Sequence, residues 1–117
     1  MDARVDKAIS IISADLSRTM RVGDLARTVN LSASRLNWLF KIEVGLTIPQ
    51  YVRERRLDRA RKLLETTFLS VKEIVRECGL TDESHFVQNF KAAHGLTPLR
   101  YRWHYQHTHA ARKNAAQ

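Results

Sequence analysis

Apolar residues recur along nearly the whole chain three and four positions apart, the period of a helix with one face against a core, and no stretch alternates as a half-buried strand does. Val5, Ala8, Ile9, Ile12 and Leu16 make one stripe over residues 3–16, and Val22, Leu25, Ala26 and Val29 a shorter one. Ser32 then reads as the N-cap of a third helix, in which Leu36, Leu39, Phe40 and Glu43 share a face and which stops at Gly45. Thr47 and Pro49 open a longer fourth helix over residues 48–65, through the basic run RERRLDRARKLL. Val71 to Cys78 forms a short fifth helix, with Gly79 supplying a left-handed turn at its end. Thr81 or Asp82 caps a sixth that closes near Gly95. Thr97-Pro98 opens a seventh, followed over residues 107–117 by HTHAARKNAAQ, a polar tail with no apolar face. The pattern predicts an all-α fold of seven helices.

One unit occurs twice. Val22, Leu25, Ala26, Val29, Asn30, Leu31 and Ser32 match Val71, Ile74, Val75, Cys78, Gly79, Leu80 and Thr81 at an offset of 49. One extra residue enters the second turn, and the match resumes at an offset of 50 with Leu36, Phe40, Lys41, Gly45, Leu46 and Thr47 against Phe86, Phe90, Lys91, Gly95, Leu96 and Thr97. Each copy is a short amphipathic helix, a tight turn and a second helix, with a compact residue (Ala26, Val75) where two helices would cross closely. That is the layout of a helix-turn-helix, whose second helix lies in the major groove of DNA.

At 100° per residue, Leu36, Leu39 and Phe40 inward leave Ser34, Asn37, Trp38 and Lys41 outward on the third helix, with Arg35 at the border. On the sixth, Phe86, Phe90 and Ala93 inward leave Ser84, Val87, Gln88 and Lys91 outward, with His85 at the border. Asn37 and Gln88 suit adenine, Val87 a thymine methyl, and Ser34 and Ser84 either bases or phosphate. Ser32, Lys41, Arg55, Thr81 and Lys91 are the candidate phosphate contacts. Trp38 has two placements open to it, on the DNA or against the fourth helix. That helix is about 26 Å long, which with its flanking turns suits the roughly 34 Å between successive major-groove faces.

Charge supports a polyanionic partner. Twenty Lys and Arg against twelve Asp and Glu leave a net +8, and no acidic residue follows Glu83. Cys78 is the only cysteine, which excludes an internal disulfide and suits a reducing compartment. No secretory signal and no bilayer-spanning run is present, so the expected location is the cytoplasm. A phosphate-binding glycine loop, a nucleophile with its base and a paired carboxylate site are all missing, so no enzyme and no cofactor is expected. His104, His107 and His109 cluster, but their spacing fits no closed metal site. In the fourth helix Arg56, with Arg53 close by, falls on the apolar side as a structural group. Arg55, Arg61 and Lys62 are the more exposed, and Asp58 and Lys62 form an i, i+4 pair.

With both units placed, the chain resembles the DNA-binding domain of the AraC/XylS family of bacterial transcription regulators over roughly residues 4–104. The resemblance is most specific over residues 74–102, at Ile74, Gly79, Phe86, Phe90, Lys91, Gly95, Pro98, Tyr101 and Arg102. Leu31-Ser32, Leu36, Phe40-Lys41, Gly45, Tyr51, Arg56-Leu57, Ala60 and Leu63-Leu64 carry the first unit and the linker. The resemblance implies a homeodomain-like pair of helix-turn-helix units, about 1–46 and 66–106, joined by the linker helix 48–65 within one DNA-binding domain over 1–106. It implies sequence-specific binding to promoter DNA by a monomeric domain at the bacterial nucleoid, and activation through contact with RNA polymerase. The family's base-contacting positions fall at Ser34, Arg35, Asn37 and Trp38, and at Glu83, Ser84, Val87 and Gln88. Trp38 and Gln88 stand where many members carry arginine, His85 replaces a common tyrosine and Leu80 a common phenylalanine. Most members carry a further effector-binding or dimerising domain, so the chain reads as either a stand-alone regulator or an excised C-terminal domain.

Overall fold

The structure, a computed structural model, describes residues 1–18 and 20–116, with side chains described as far as residue 108. Among the described residues there are seven helices and no strand: α1 (Ala3–Ala14), α2 (Val22–Thr28), α3 (Ala33–Val44), α4 (Ile48–Thr66), α5 (Val71–Glu77), α6 (Glu83–His94) and α7 (Pro98–Ala116). They form two compact units, Met1–Arg56 and Leu57–Gln117. The division falls inside α4 rather than at its ends. The cause is where its apolar side chains go: Ile48, Tyr51 and Val52 join the first core, and Leu57, Ala60 and Leu64 the second.

In the first unit Val5, Ala8 and Ile12 of α1 pack with Leu25, Ala26 and Val29 around Leu36 and Phe40 of α3. In the second, Ile74, Val75 and Cys78 surround Phe86 and Phe90 of α6, and the Cys78 thiol is fully buried. The sequence repeat persists in the packing. Phe40 meets Tyr51 edge-on at 5.4 Å, and fifty residues later Phe90 meets Tyr101 edge-on at 5.2 Å. An edge-to-face pair joins the positive rim of one ring to the negative face of the other and adds to the apolar burial. Each pair ties the helix that follows the turn to the helix that succeeds it.

The two turns are built alike. Leu31 N–H donates to the Ala26 carbonyl and Asn30 N–H to Arg27, while Leu80 N–H donates to Val75 and Gly79 N–H to Arg76. These are the paired bonds of a helix closed by a left-handed residue, which Asn30 (φ 60°) and Gly79 (φ 73°) supply. Asparagine tolerates that region because its short polar side chain limits the steric cost; a β-branched residue there would be strained.

Caps settle the helix starts. Ser32 Oγ accepts from Arg35 N–H at 3.1 Å, and Asp82, not Thr81, caps α6 by accepting from His85 N–H at 3.1 Å. Thr81 is therefore the inserted residue of the second turn. Thr47 and Gln50 exchange backbone-to-side-chain bonds at the head of α4. Ser70 and Glu73 form a reciprocal capping box at α5. Ser70→Ala should cost about 1 kcal/mol of stability in a denaturant titration. Hydrogen bonds from Ser70, its backbone amide foremost, lower the Glu73 carboxyl below its ordinary value of 4.5. A carboxyl lowered in the folded state adds stability above its unfolded pKa, and that contribution is lost as pH falls through the folded value.

Arg56 holds the chain after α1, donating from Nε to the Leu16 carbonyl at 2.8 Å and from Nη2 to Arg18 at 3.2 Å. This is the structural role its apolar-side placement predicts. Arg53, expected beside it, is exposed instead. Arg102 does the equivalent work in the second unit, on the carbonyls of Leu64 and Leu69 at 3.0 and 2.7 Å.

The inward placing of Ala93 needs correction. Ala93 is exposed rather than inward, because α6 leaves the core at that turn and the His94 ring, 4.4 Å from Phe90, lies against it instead. The polar residues 107–116, over which the residue pattern sets no end for the seventh helix, continue α7, and alanines with Arg112 and Lys113 are strong helix formers.

Candidate nucleic-acid interface

Leu36 and Phe40, fully buried, fix the rotation of α3, and Phe86 and Phe90 fix that of α6. Every outward position follows from those anchors. Ser34, Arg35, Asn37, Trp38 and Lys41 are all exposed on α3, and Glu83, Ser84, Gln88 and Lys91 on α6. Val87 differs: it is half-buried and packs on the second core, leaving only part of its side chain at the surface. Position by position the faces correspond at an offset of 50, with Ser34 and Ser84, Asn37 and Val87, Trp38 and Gln88, Lys41 and Lys91.

Local geometry organises α3 further. The Arg35 guanidinium sits 5.0 Å from the centroid of the Trp38 ring, a cation over a π face, which restrains two long side chains together. Trp38 stands exposed and does not join the first core. Lys41 Nζ lies 3.3 Å from the Gly45 carbonyl at the end of its own helix, in a solvent-exposed contact that a phosphate can readily displace. Ser32 accepts an amide proton through Oγ, so its own O–H remains able to donate. Thr81 and Arg55 are exposed as well, Thr81 in the second turn and Arg55 on α4.

On α6 the Asn89 amide nitrogen lies 3.4 Å from His85 Nδ1, on the flank of the exposed face. Glu83 occupies the first turn, where a carboxylate complements the positive end of the helix dipole and has the acceptor oxygens that a cytosine amino group requires.

Not every basic residue faces outward. Arg61, expected among the exposed set, is clasped between Asp58 at 2.8 Å and Glu65 at 2.8 Å, and Glu65 also accepts from the Tyr101 hydroxyl. The hydrogen bond that Arg61 donates to Asp58, then the one it shares with Tyr101, raises the Arg61 pKa further above its ordinary value. Spacing alone could have revealed this, since Asp58, Arg61 and Glu65 stand three and four apart on one helix face. The i, i+4 pair of Asp58 and Lys62 is present at 3.6 Å. A second residue the sequence pattern passes over is Ile42, an exposed isoleucine on α3.

Among the described residues no group of three or more His, Cys, Asp and Glu could hold a metal ion. The His107 ring stacks on Trp103 at 3.9 Å with Nδ1 2.7 Å from the Trp103 carbonyl oxygen. The His109 side chain lies outside the described residues. Among them, too, no helix is long and apolar enough to cross a membrane.

Known proteins resemble this chain in sequence and fold. A family model described as a helix-turn-helix domain matches residues 25–104. The chain is 36% identical over 101 residues to the xylose operon regulatory protein of Escherichia coli K12, covering 86% of this chain and 26% of that protein. It is 30% identical over 114 residues to the HTH-type transcriptional activator RhaR of Enterobacter sp. (strain 638), covering 97% and 38%. The chain thus spans roughly a quarter to two fifths of these relatives' length. A solved AraC-type DNA-binding-domain regulator from Chromobacterium violaceum superposes with a TM-score of 0.79 at 30% identity, over 87% of this chain and 91% of that one. With the duplicated turns, the paired aromatic anchors and these likenesses together, the chain belongs to the AraC/XylS family of helix-turn-helix transcriptional regulators.

Proposed function

We propose that the chain binds promoter DNA sequence-specifically as a monomeric domain, laying α3 and α6 into successive major grooves and activating transcription through contact with RNA polymerase. The observation that carries this reading is the pair of exposed faces on equivalent helices, each backed by a buried phenylalanine pair or its leucine equivalent and each ending in a lysine. A net charge of +8 supplies the sequence-independent attraction to phosphate. At 19 residues, α4 is about 28 Å long, of the same order as the pitch of the double helix. An activating role is supported by the likeness to an activator, RhaR.

Base contacts are assigned to Ser34, Arg35, Asn37 and Trp38 and to Glu83, Ser84, Val87 and Gln88, and phosphate contacts to Ser32, Lys41, Arg55, Thr81 and Lys91. Selection from random duplexes tests the reading as a whole: a recovered motif supports it, and the absence of any motif rejects specific regulation. On that motif Gln88→Ala should lose about 1–3 kcal/mol and relax one base position. Lys91→Ala should weaken every duplex alike and lower the slope of log affinity against log salt by about 1. The reverse pattern would place a different face of α6 on the DNA. In vitro transcription from a promoter carrying the motif then tests the contact with polymerase.

A further inference from the structure

The exposed faces of α3 and α6 rest on equivalent anchors but differ in chemistry. On α3, Arg35, Trp38 and Ile42 stand three and four residues apart on one stripe, with Trp38 54% and Ile42 60% exposed. Fifty residues on, the same stripe of α6 carries His85, Gln88 and Ala92. The first helix therefore presents a broad apolar surface where the second presents an amide and a methyl group.

An exposed indole and an exposed isoleucine one turn apart are unfavourable in water and call for a partner that covers them. The partner must also tolerate cations, because Arg35 lies over the indole and Lys41 is exposed on the same helix. That excludes a purely apolar occupant and favours a polyanion with apolar groups set among its charges. Of the base edges in the major groove only thymine displays such a group, its C5-methyl.

We propose that α3 reads thymine methyls: Trp38 and Ile42 cover C5-methyl groups, and Arg35, steered by its stack on the indole, fixes the ring against them. The first unit then selects thymine-bearing base steps largely by apolar contact, while the second selects mainly through the hydrogen-bonding groups of Ser84, Gln88 and Glu83, with half-buried Val87 as its single apolar base contact. This inference rests on the DNA-binding reading above and specifies what one half of that surface recognises.

Deoxyuridine is the probe, because replacing a thymine with it removes the C5-methyl and keeps every hydrogen-bonding group. Each thymine of the selected motif is exchanged in turn, and affinity is measured by titration for the wild type, Trp38→Ala, Ile42→Ala and, as a control on the other helix, Gln88→Ala. The wild type should lose about three- to fivefold at one or two thymines, the worth of one buried methyl. Gln88→Ala should keep that penalty in full. At least one of Trp38→Ala and Ile42→Ala should erase it, and both variants should melt like the wild type because both side chains are exposed.

If the motif binds but no uracil exchange changes affinity, or if every such penalty survives undiminished in both α3 variants, the thymine-methyl reading of α3 is overturned while DNA binding stands. If no motif is recovered and Trp38→Ala instead disrupts a protein complex, the surface serves a protein partner and both readings fall.

Discussion

Phe90→Ala should lower the unfolding free energy of the second unit by about 3–5 kcal/mol, the range for a fully enclosed phenylalanine. Phe90 is 1% exposed and touches three rings: Phe86 at 5.8 Å, Tyr101 at 5.2 Å and His94 at 4.4 Å. Truncation removes the apolar burial, leaves a cavity among them and cuts both aromatic contacts made by Tyr101 and His94 on that side. So large a fraction of a small unit's stability is at stake that partial unfolding near room temperature is the expected result. Chemical denaturation followed by circular dichroism measures the loss. Phe90→Leu, which keeps most of the volume, should cost less than about 1.5 kcal/mol. A loss under 1 kcal/mol for the alanine variant would mean that α6 is not anchored through this ring.

Glu65→Ala should cost about 1–3 kcal/mol, through a different mechanism. The Glu65 side chain is only 10% exposed, and it gathers the Arg61 guanidinium and the Tyr101 hydroxyl at one carboxylate oxygen. Its removal leaves the half-buried phenol without that acceptor and frees one side of Arg61, which Asp58 still holds. Water reaches Arg61, so the cost stays at the lower part of the range for a disrupted network. Glu65→Gln keeps an acceptor for Tyr101 and should lose less than the alanine variant; equal losses would show that charge, not the hydrogen bond to the phenol, holds the corner. Burial first, and then the Glu65 hydrogen bond, raise the Tyr101 phenol above its ordinary value of 10.0. A raised phenol favours the neutral form in the folded state. Its contribution is therefore complete below the unfolded pKa and disappears as pH rises through the folded value. Thermal melts between about pH 9 and 11 should show the wild type losing this increment and Tyr101→Phe lacking the pH-dependent part.

Much of this molecule was legible in its residue pattern, for physical reasons that can be named. Helical periodicity is strong wherever a buried stripe is continuous, so α1, α3, α4 and α6 stand within about two residues of the expected limits, the usual uncertainty of helix ends. The duplication exposed the turns, because Asn30 and Gly79 are residue types that accept the left-handed conformation at matched places. The outward set on α3 was equally readable, since two large buried residues, Leu36 and Phe40, determine the rotation of the helix.

What the residue pattern leaves undecided has several physical causes. Ala93 was expected inward because a projection assumes that the core continues past Phe90, whereas His94 takes up that ring face. Arg61 is expected in solvent when the basic run of α4 is read by its charge, but Asp58 and Glu65, three and four residues away, clasp it, and Tyr101 of α7 holds Glu65 in turn. Val87 sits at the edge between core and surface, where 100° per residue cannot decide. The choice between Thr81 and Asp82 required the actual backbone angle at the cap. The extent of α7 is not legible because residues 107–116 carry no apolar stripe to mark its end.

Helices α3 and α6 rest on similar anchors, each in the core of its own unit, while their outer faces carry unlike side chains. On the proposed reading, faces so unlike would recognise unlike half-sites, and the preferred DNA would have a head and a tail rather than a palindrome. Reversing such a site on a promoter would turn the bound protein end for end and present its opposite flank to whatever waits downstream.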